Sequence, residues 1–124
     1  MSNKYNLTIW QGSTFELGIT VKDSANVVRD ITNFSARMHI RQSYNSSTIT
    51  EQLTTGTGEI TLSGNNGILS LRLPAERTAN IFVDLNQGNP PKSTYVYDLE
   101  MIDLSLKVTK LLYGSVIVYG EVTR

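Results

Sequence analysis

An antiparallel β-sandwich is the fold class this sequence predicts, on three observations. Apolar and polar residues alternate along most of the chain, turn-forming Gly, Asn, Asp and Ser interrupt the alternation at short intervals, and only one stretch departs from it toward a helix. The pattern amounts to about seven to nine short strands in one domain spanning residues 1–124.

The strand around which the others are arranged is Ser93–Ile102, with Tyr95, Tyr97, Leu99 and Met101 on one side and Asp98 and Glu100 on the other. Successive strand side chains point to opposite faces, so one face enters a core and the other meets water. A helix over the same residues would mix Asp98 into the stripe of Tyr95 and Leu99.

From the N-terminus, Tyr5, Leu7 and Ile9 alternate with Asn6, Thr8 and Trp10 in a first strand that stops at Gln11-Gly12. Phe15, Leu17, Ile19 and Val21 then alternate with Glu16, Gly18, Thr20 and Lys22, the clearest period-two run in the chain. Asp23–Asn26 is a turn composition. Phe34, Ala36, Met38 and Ile40 face one way in the next strand, and Ser35, Arg37, His39 and Arg41 the other. A polar loop at Tyr44–Ser47 precedes a short strand through Ile49 and Leu53, and Gly56-Thr57-Gly58 separates it from another through Ile60 and Leu62. Gly64-Asn65-Asn66-Gly67 reads as a hairpin turn, because Gly and Asn accept positive φ at little cost. Leu69, Leu71 and Leu73 share one side of the strand that follows. Pro74 then opens a short helix over Ala75–Ile81. The segment 86–92 is a loop, since Pro90 and Pro91 are excluded from a central strand. After a turn at Leu104–Lys107, the last strand runs from Val108 to Tyr119 with a bulge near Gly114, and it returns beside Ser93–Ile102.

Composition narrows function. Eleven basic and eleven acidic residues give no net charge, whereas a dedicated nucleic-acid binder carries a basic excess. No cysteine is present, so neither disulfides nor thiolate metal sites enter. No window approaches the apolar length of a membrane span, and the N-terminus has no apolar segment of signal-peptide length, so the chain is expected to be made in the cytoplasm.

Chemistry-bearing residues are sparse. His39, the only histidine, has no local nucleophile or orienting carboxylate and reads as an exposed strand position. Arg37, His39 and Arg41 form a basic stripe that suits either an acidic partner or, the reading preferred, pairing with Asp98 and Glu100 on a neighbouring strand. Asp98 and Glu100 are spaced as two carboxylates on one face, but strand alternation makes such pairs routinely and nothing signals a cleft. The acidic residues lack calcium-loop spacing, and the Gly pairs open no long helix that could hold a phosphate. The expectation is therefore no catalytic residue, no cofactor and no metal. Two apolar features are harder to assign to the core: Trp10 on the polar side of its strand, and the run Ile81, Phe82, Val83 and Leu85. They either plug the ends of the sandwich or contact a partner, and Tyr44 raises the same question.

An ordered set of segments points further. Gln11–Asp23 (QGSTFELGITVKD), Asp30–Arg41 (DITNFSARMHIR), Gly67–Leu73 before the Pro74–Ile81 segment, Tyr95–Glu100 and Gly114–Arg124 together resemble small tailed-bacteriophage virion proteins. The chain looks like the N-terminal domain of the baseplate upper protein family. The resemblance covers nearly the whole sequence and implies an immunoglobulin-like sandwich acting as an assembly or attachment module of tail, baseplate or neck, without catalysis or cofactor. It also implies that the partners are other virion proteins and copies of the chain itself, with no nucleic acid, membrane or small-molecule substrate, and that the protein resides in the virion. Longer members continue into helical and receptor-side domains, whereas this sequence stops at Arg124 and is expected to carry no fibre of its own. The 86–92 loop is longer than a minimal connection, which adds Asn89, Pro90 and Pro91 to Trp10, Tyr44, Phe82, Val83 and Leu85 as candidate interface residues. A capsid decoration protein and a carbohydrate-binding module for host glycans are the alternatives, the latter requiring Trp10 and Tyr44 to form one platform.

Overall fold

Period-two alternation becomes nine strands in two sheets in the computed structural model, which describes residues 3–86 and 88–124. The strands are β1 (Asn3–Lys4), β2 (Leu7–Trp10), β3 (Phe15–Thr20), β4 (Ser35–Arg41), β5 (Glu51–Thr54), β6 (Ile60–Ser63), β7 (Ile68–Leu73), β8 (Lys92–Ile102) and β9 (Val108–Tyr119), with one helical turn, α1 (Ala75–Thr78). One sheet has the order β1-β9-β8-β4-β5, with β2 also on β9; the other is β3-β7-β6. All pairs are antiparallel except β1 and β2, which run parallel to β9.

This is the immunoglobulin-like arrangement. The strands β3, β7 and β6 form one layer in the B-E-D order, and β9, β8, β4 and β5 form the other in the G-F-C-C′ order. The first strand has crossed to lie along β9. Tyr95, near the start of β8, donates its hydroxyl to the Phe82 carbonyl, as the tyrosine corner of such folds does.

The core lies between the layers. Leu7, Ile9, Met38, Ile40, Leu69, Leu71, Leu73, Tyr95, Tyr97, Leu99, Met101, Val116 and Val118 are buried there, and Phe15, Leu17, Ile19 and Phe34 pack against it while half-buried. Each fully buried aliphatic or aromatic side chain contributes about 1.5–3 kcal/mol. Both tyrosines satisfy their hydroxyls inside this apolar setting; Tyr97 donates to the Tyr5 carbonyl at 2.6 Å. Burial, with Tyr5 adding to it, pushes the Tyr97 phenol up to about 12.

Several boundaries differ from the sequence expectations. The first strand is split at residues 5–6, so Tyr5 is exposed rather than part of the inward row. Its carbonyl accepts from Tyr97, and Asn6 Oδ1 accepts from Ser115 N–H at 3.1 Å. The strand expected through Ile49 begins only at Glu51. The expected helix over 75–81 is α-helical only over Ala75–Thr78, after which the chain turns inward to bury Ile81. The bulge in β9 lies at Leu111, between the pairs Leu99–Leu112 and Glu100–Lys110, and not at Gly114. Gly114 serves a close approach instead: a Cβ there would come within 2.8 Å of the Tyr5 carbonyl oxygen and of Asn6 Oδ1. Gln87, inside the expected 86–92 loop, lies outside the described residues.

Candidate assembly surface

The parallel pair β2–β9 ends with Trp10 opposite Tyr119, and Lys92 at the start of β8 is registered with the same tyrosine. This end of the larger sheet therefore receives the segment that follows α1. Three sets of bonds hold that segment. Gln11 donates its side-chain amide to the Ile81 carbonyl at 2.7 Å and accepts from Glu121 N–H at 3.2 Å. Thr78, buried, accepts from Gly12 N–H at 3.1 Å and donates to the Ser13 carbonyl at 2.9 Å. Gly120 N–H donates to the Pro91 carbonyl at 2.8 Å. The end is thus cross-tied between elements far apart in sequence, which makes it a firm platform.

On that platform sit exposed apolar side chains. Trp10 is 47% exposed and stacks on Tyr119, with ring centroids 4.5 Å apart and planes inclined by 21°. Phe82 is 67% exposed although its carbonyl is fixed by Tyr95. Leu85 and Pro91 lean over Gly120, where a Cβ would come within 2.8 Å of either side chain. Asn89 and Pro90, joined by a cis peptide bond, are exposed beside them.

Not every candidate belongs here. Val83 is a core residue at 5% exposure, because Ile81 and Val83 turn inward while Phe82 between them turns out; Leu85, in the turn that follows, is exposed. Pro91 is half-buried against Gly120. Tyr44, at 74% exposure, stands apart on the outer face of β4 and β8, where it shares a shallow groove of ≈ 360 Å³ with Arg37, His39, Arg41 and Asp98. Trp10 stacks on Tyr119 and Tyr44 lines this other groove, so each belongs to a different part of the surface.

That groove contains the basic stripe. Arg37 Nε meets Glu100 at 2.9 Å across the β4–β8 pair, as the cross-strand reading expects. Asp98 is opposite His39 in register but pairs instead with Lys110 on β9 at 3.3 Å, and Arg41 donates to the Ser46 carbonyl at 3.0 Å. The side-chain neighbour of His39 within bonding reach is Arg41, at 3.4 Å. Among the described residues no group of three or more His, Asp or Glu side chains is placed to hold a metal ion.

Sequence reasoning missed a second apolar set. At the opposite end of β8 and β9, the turn at residues 103–107 leaves Leu104 and Leu106 largely in solvent, with Val27, Val28 and Val108 also exposed. Asp103 organises this turn by accepting from Ser105 N–H, Ser105 Oγ and Lys107 N–H at 2.8–2.9 Å. Those bonds, the Ser105 hydroxyl first, hold its carboxyl below the usual range. Arg29, 4.0 Å from Asp103, links the turn to the 21–31 connection. The available signal was two leucines inside a five-residue turn, with no strand there to bury them.

No protein-family model matches this chain, and no curated protein sequence matches it either.

Proposed function

We propose that this chain is a non-enzymatic structural protein of a bacteriophage virion, an assembly or attachment module of the tail, baseplate or neck. It works by binding other virion proteins and further copies of itself. The observation that carries the reading is the end of the sandwich where Trp10, stacked on the half-buried Tyr119, is exposed with Phe82 and Leu85 on a cross-tied platform. Side chains of this kind, held rigidly, lose little conformational freedom on binding and form the anchors of protein interfaces. The resemblance of the ordered segments to tailed-phage virion proteins supports the same reading.

The experiment is mass spectrometry of purified particles of the phage that encodes the chain, with the Phe82→Asp variant run beside the wild type. The expected result is a stoichiometric signal for the wild type and a loss of incorporation for a variant that still folds. Absence of the wild-type chain from the particles would overturn the proposal.

A further inference from the structure

Of the open sheet edges, β3 differs from the rest. The edge at β5 is four residues long, and Arg77 crosses it, donating to the Gln52 carbonyl at 3.0 Å while pairing with Glu51 and Glu59. The edge at β6 is also four residues, and the β1–β2 edge is broken at residues 5–6. Short strands and charges across an edge are the devices by which proteins prevent unwanted pairing. The six residues of β3 carry neither a proline nor such a crossing side chain, and among the described residues β7 is the only strand paired with it.

The direction of its free backbone groups follows from the register. Phe15, Leu17 and Ile19 face Leu73, Leu71 and Leu69, and Val21 N–H continues the series by donating to the Gly67 carbonyl at 2.7 Å. Phe15, Leu17 and Ile19 therefore spend their N–H and C=O on the β7 side. Val21 C=O accepts from Arg29 N–H at 2.9 Å, where the 21–31 connection continues that side past β7. The backbone groups of Glu16, Gly18, Thr20 and Lys22 point outward from the edge. The side chains indicate the same open side. Leu69, Leu71 and Leu73 on β7 are fully buried, yet Phe15, Leu17 and Ile19 directly beside them remain half-buried. A groove of ≈ 530 Å³ runs along this edge between Ile19 and Val21 on one side and Asn3, Leu111 and Leu112 on the other. At Gly18 an added Cβ would meet nothing within 4 Å, and a glycine inside a strand suits the close approach of another backbone.

We infer that β3 is the pairing edge of a two-fold dimer, with β3 of one copy antiparallel to β3 of a second and Ile19 opposite Ile19. Charge complementarity selects the partner and the register. In this alignment Gly18 faces Thr20, Leu17 faces Val21, and Glu16 faces Lys22 of the second copy, twice by symmetry. The hydrogen-bonded positions are then the even residues whose backbone groups are free. The Leu17, Ile19 and Val21 row stays on the core side, and the charged pairs stay on the solvent side. Glu16 and Lys22 take no part in the ion pairs present within the described residues. The inference gives a geometry to self-association within the proposed assembly role and rests on that reading for its purpose. Its test needs only purified chain, so a monomer in solution would overturn it while leaving the particle experiment to decide the role.

The test is sedimentation velocity over a concentration series on the wild type, Glu16→Lys, Lys22→Glu, the double variant, and an equimolar mixture of the two single variants. Circular dichroism checks that each is folded. The wild type is expected to dimerise. Either single reversal places like charges at both symmetric contacts and should raise the dissociation constant roughly tenfold. The double variant and the mixture should both recover wild-type association, since each single variant supplies the charge the other lacks. A wild type that stays monomeric at every concentration, a dimer indifferent to the single reversals, or a mixture that fails to recover would each overturn the inference.

Discussion

Glu59 shows how one side chain ties together three segments. It accepts from Thr54 N–H at 3.1 Å, from the Thr57 hydroxyl, and from Arg77, which also holds Glu51. Burial pushes its carboxyl up, but the Thr57, Thr54 and Arg77 donors together outweigh that and hold it at about 2, against an ordinary 4.5. A depressed carboxylate stabilises the fold fully above its unfolded value and loses that contribution as pH falls through the folded value. Urea denaturation between pH 4.5 and pH 2 should therefore show stability falling with acid, and Glu59→Gln should flatten that slope. Tyr95→Phe tests the other single-residue tie: the Phe82 carbonyl loses its donor, and stability should drop by about 1 kcal/mol in the same assay. Tyr95 was legible in the sequence as an inward strand residue. Its hydroxyl partner was not, since Phe82 lies 13 residues upstream and on no regular element.

At the scale of elements, the turn between β8 and β9 holds Leu106 at φ +68°, a conformation in which a branched residue costs about 1–2 kcal/mol. It persists because Asp103 bonds fix the turn on both sides: Asp103 N–H donates to the Lys107 carbonyl, and Leu106 N–H to that of Asp103, each at 3.0 Å. Leu106→Gly should raise the unfolding free energy by about 0.5–1 kcal/mol in equilibrium denaturation, because the side chain it removes is 79% exposed and contributes little packing. The opposite sign is expected at Gly114. Gly114→Ala should destabilise by about 1–3 kcal/mol, as the new methyl meets the β1–β2 backbone. The alternation that identified β3, β4, β7 and β8 is a local property and survives in the structure almost residue for residue. The parallel seat of β2 on β9 and the bulge at Leu111 are properties of pairing, which no single strand records. Gly114 was read as the bulge because glycine marks both a kink and a close approach, and only the neighbouring strand distinguishes them.

For the whole molecule, the two layers and their core follow from which faces are apolar. That is why the sandwich could be read from rows such as Tyr95, Tyr97, Leu99 and Met101, all of them buried, repeated from strand to strand. The proposed assembly surface was only partly readable. Trp10 stood out as a large apolar residue on the polar side of its strand, whereas Phe82 was one of a run with Ile81, Val83 and Leu85, and only the structure separates the inward Ile81 and Val83 from the outward Phe82 and Leu85. Leu104 and Leu106 escaped notice because a turn has no period against which an outward leucine looks anomalous. The sandwich thus offers exposed apolar groups at both ends of β8 and β9, and contact with neighbouring proteins is proposed for the Trp10 and Phe82 end. Electron cryomicroscopy of the intact phage particle tests this most directly. The expected map contains the two-layer sandwich in repeated copies, with Trp10, Phe82 and Leu85 covered by a neighbouring subunit. A particle lacking this domain, or holding it with that end bare to solvent, would contradict the account.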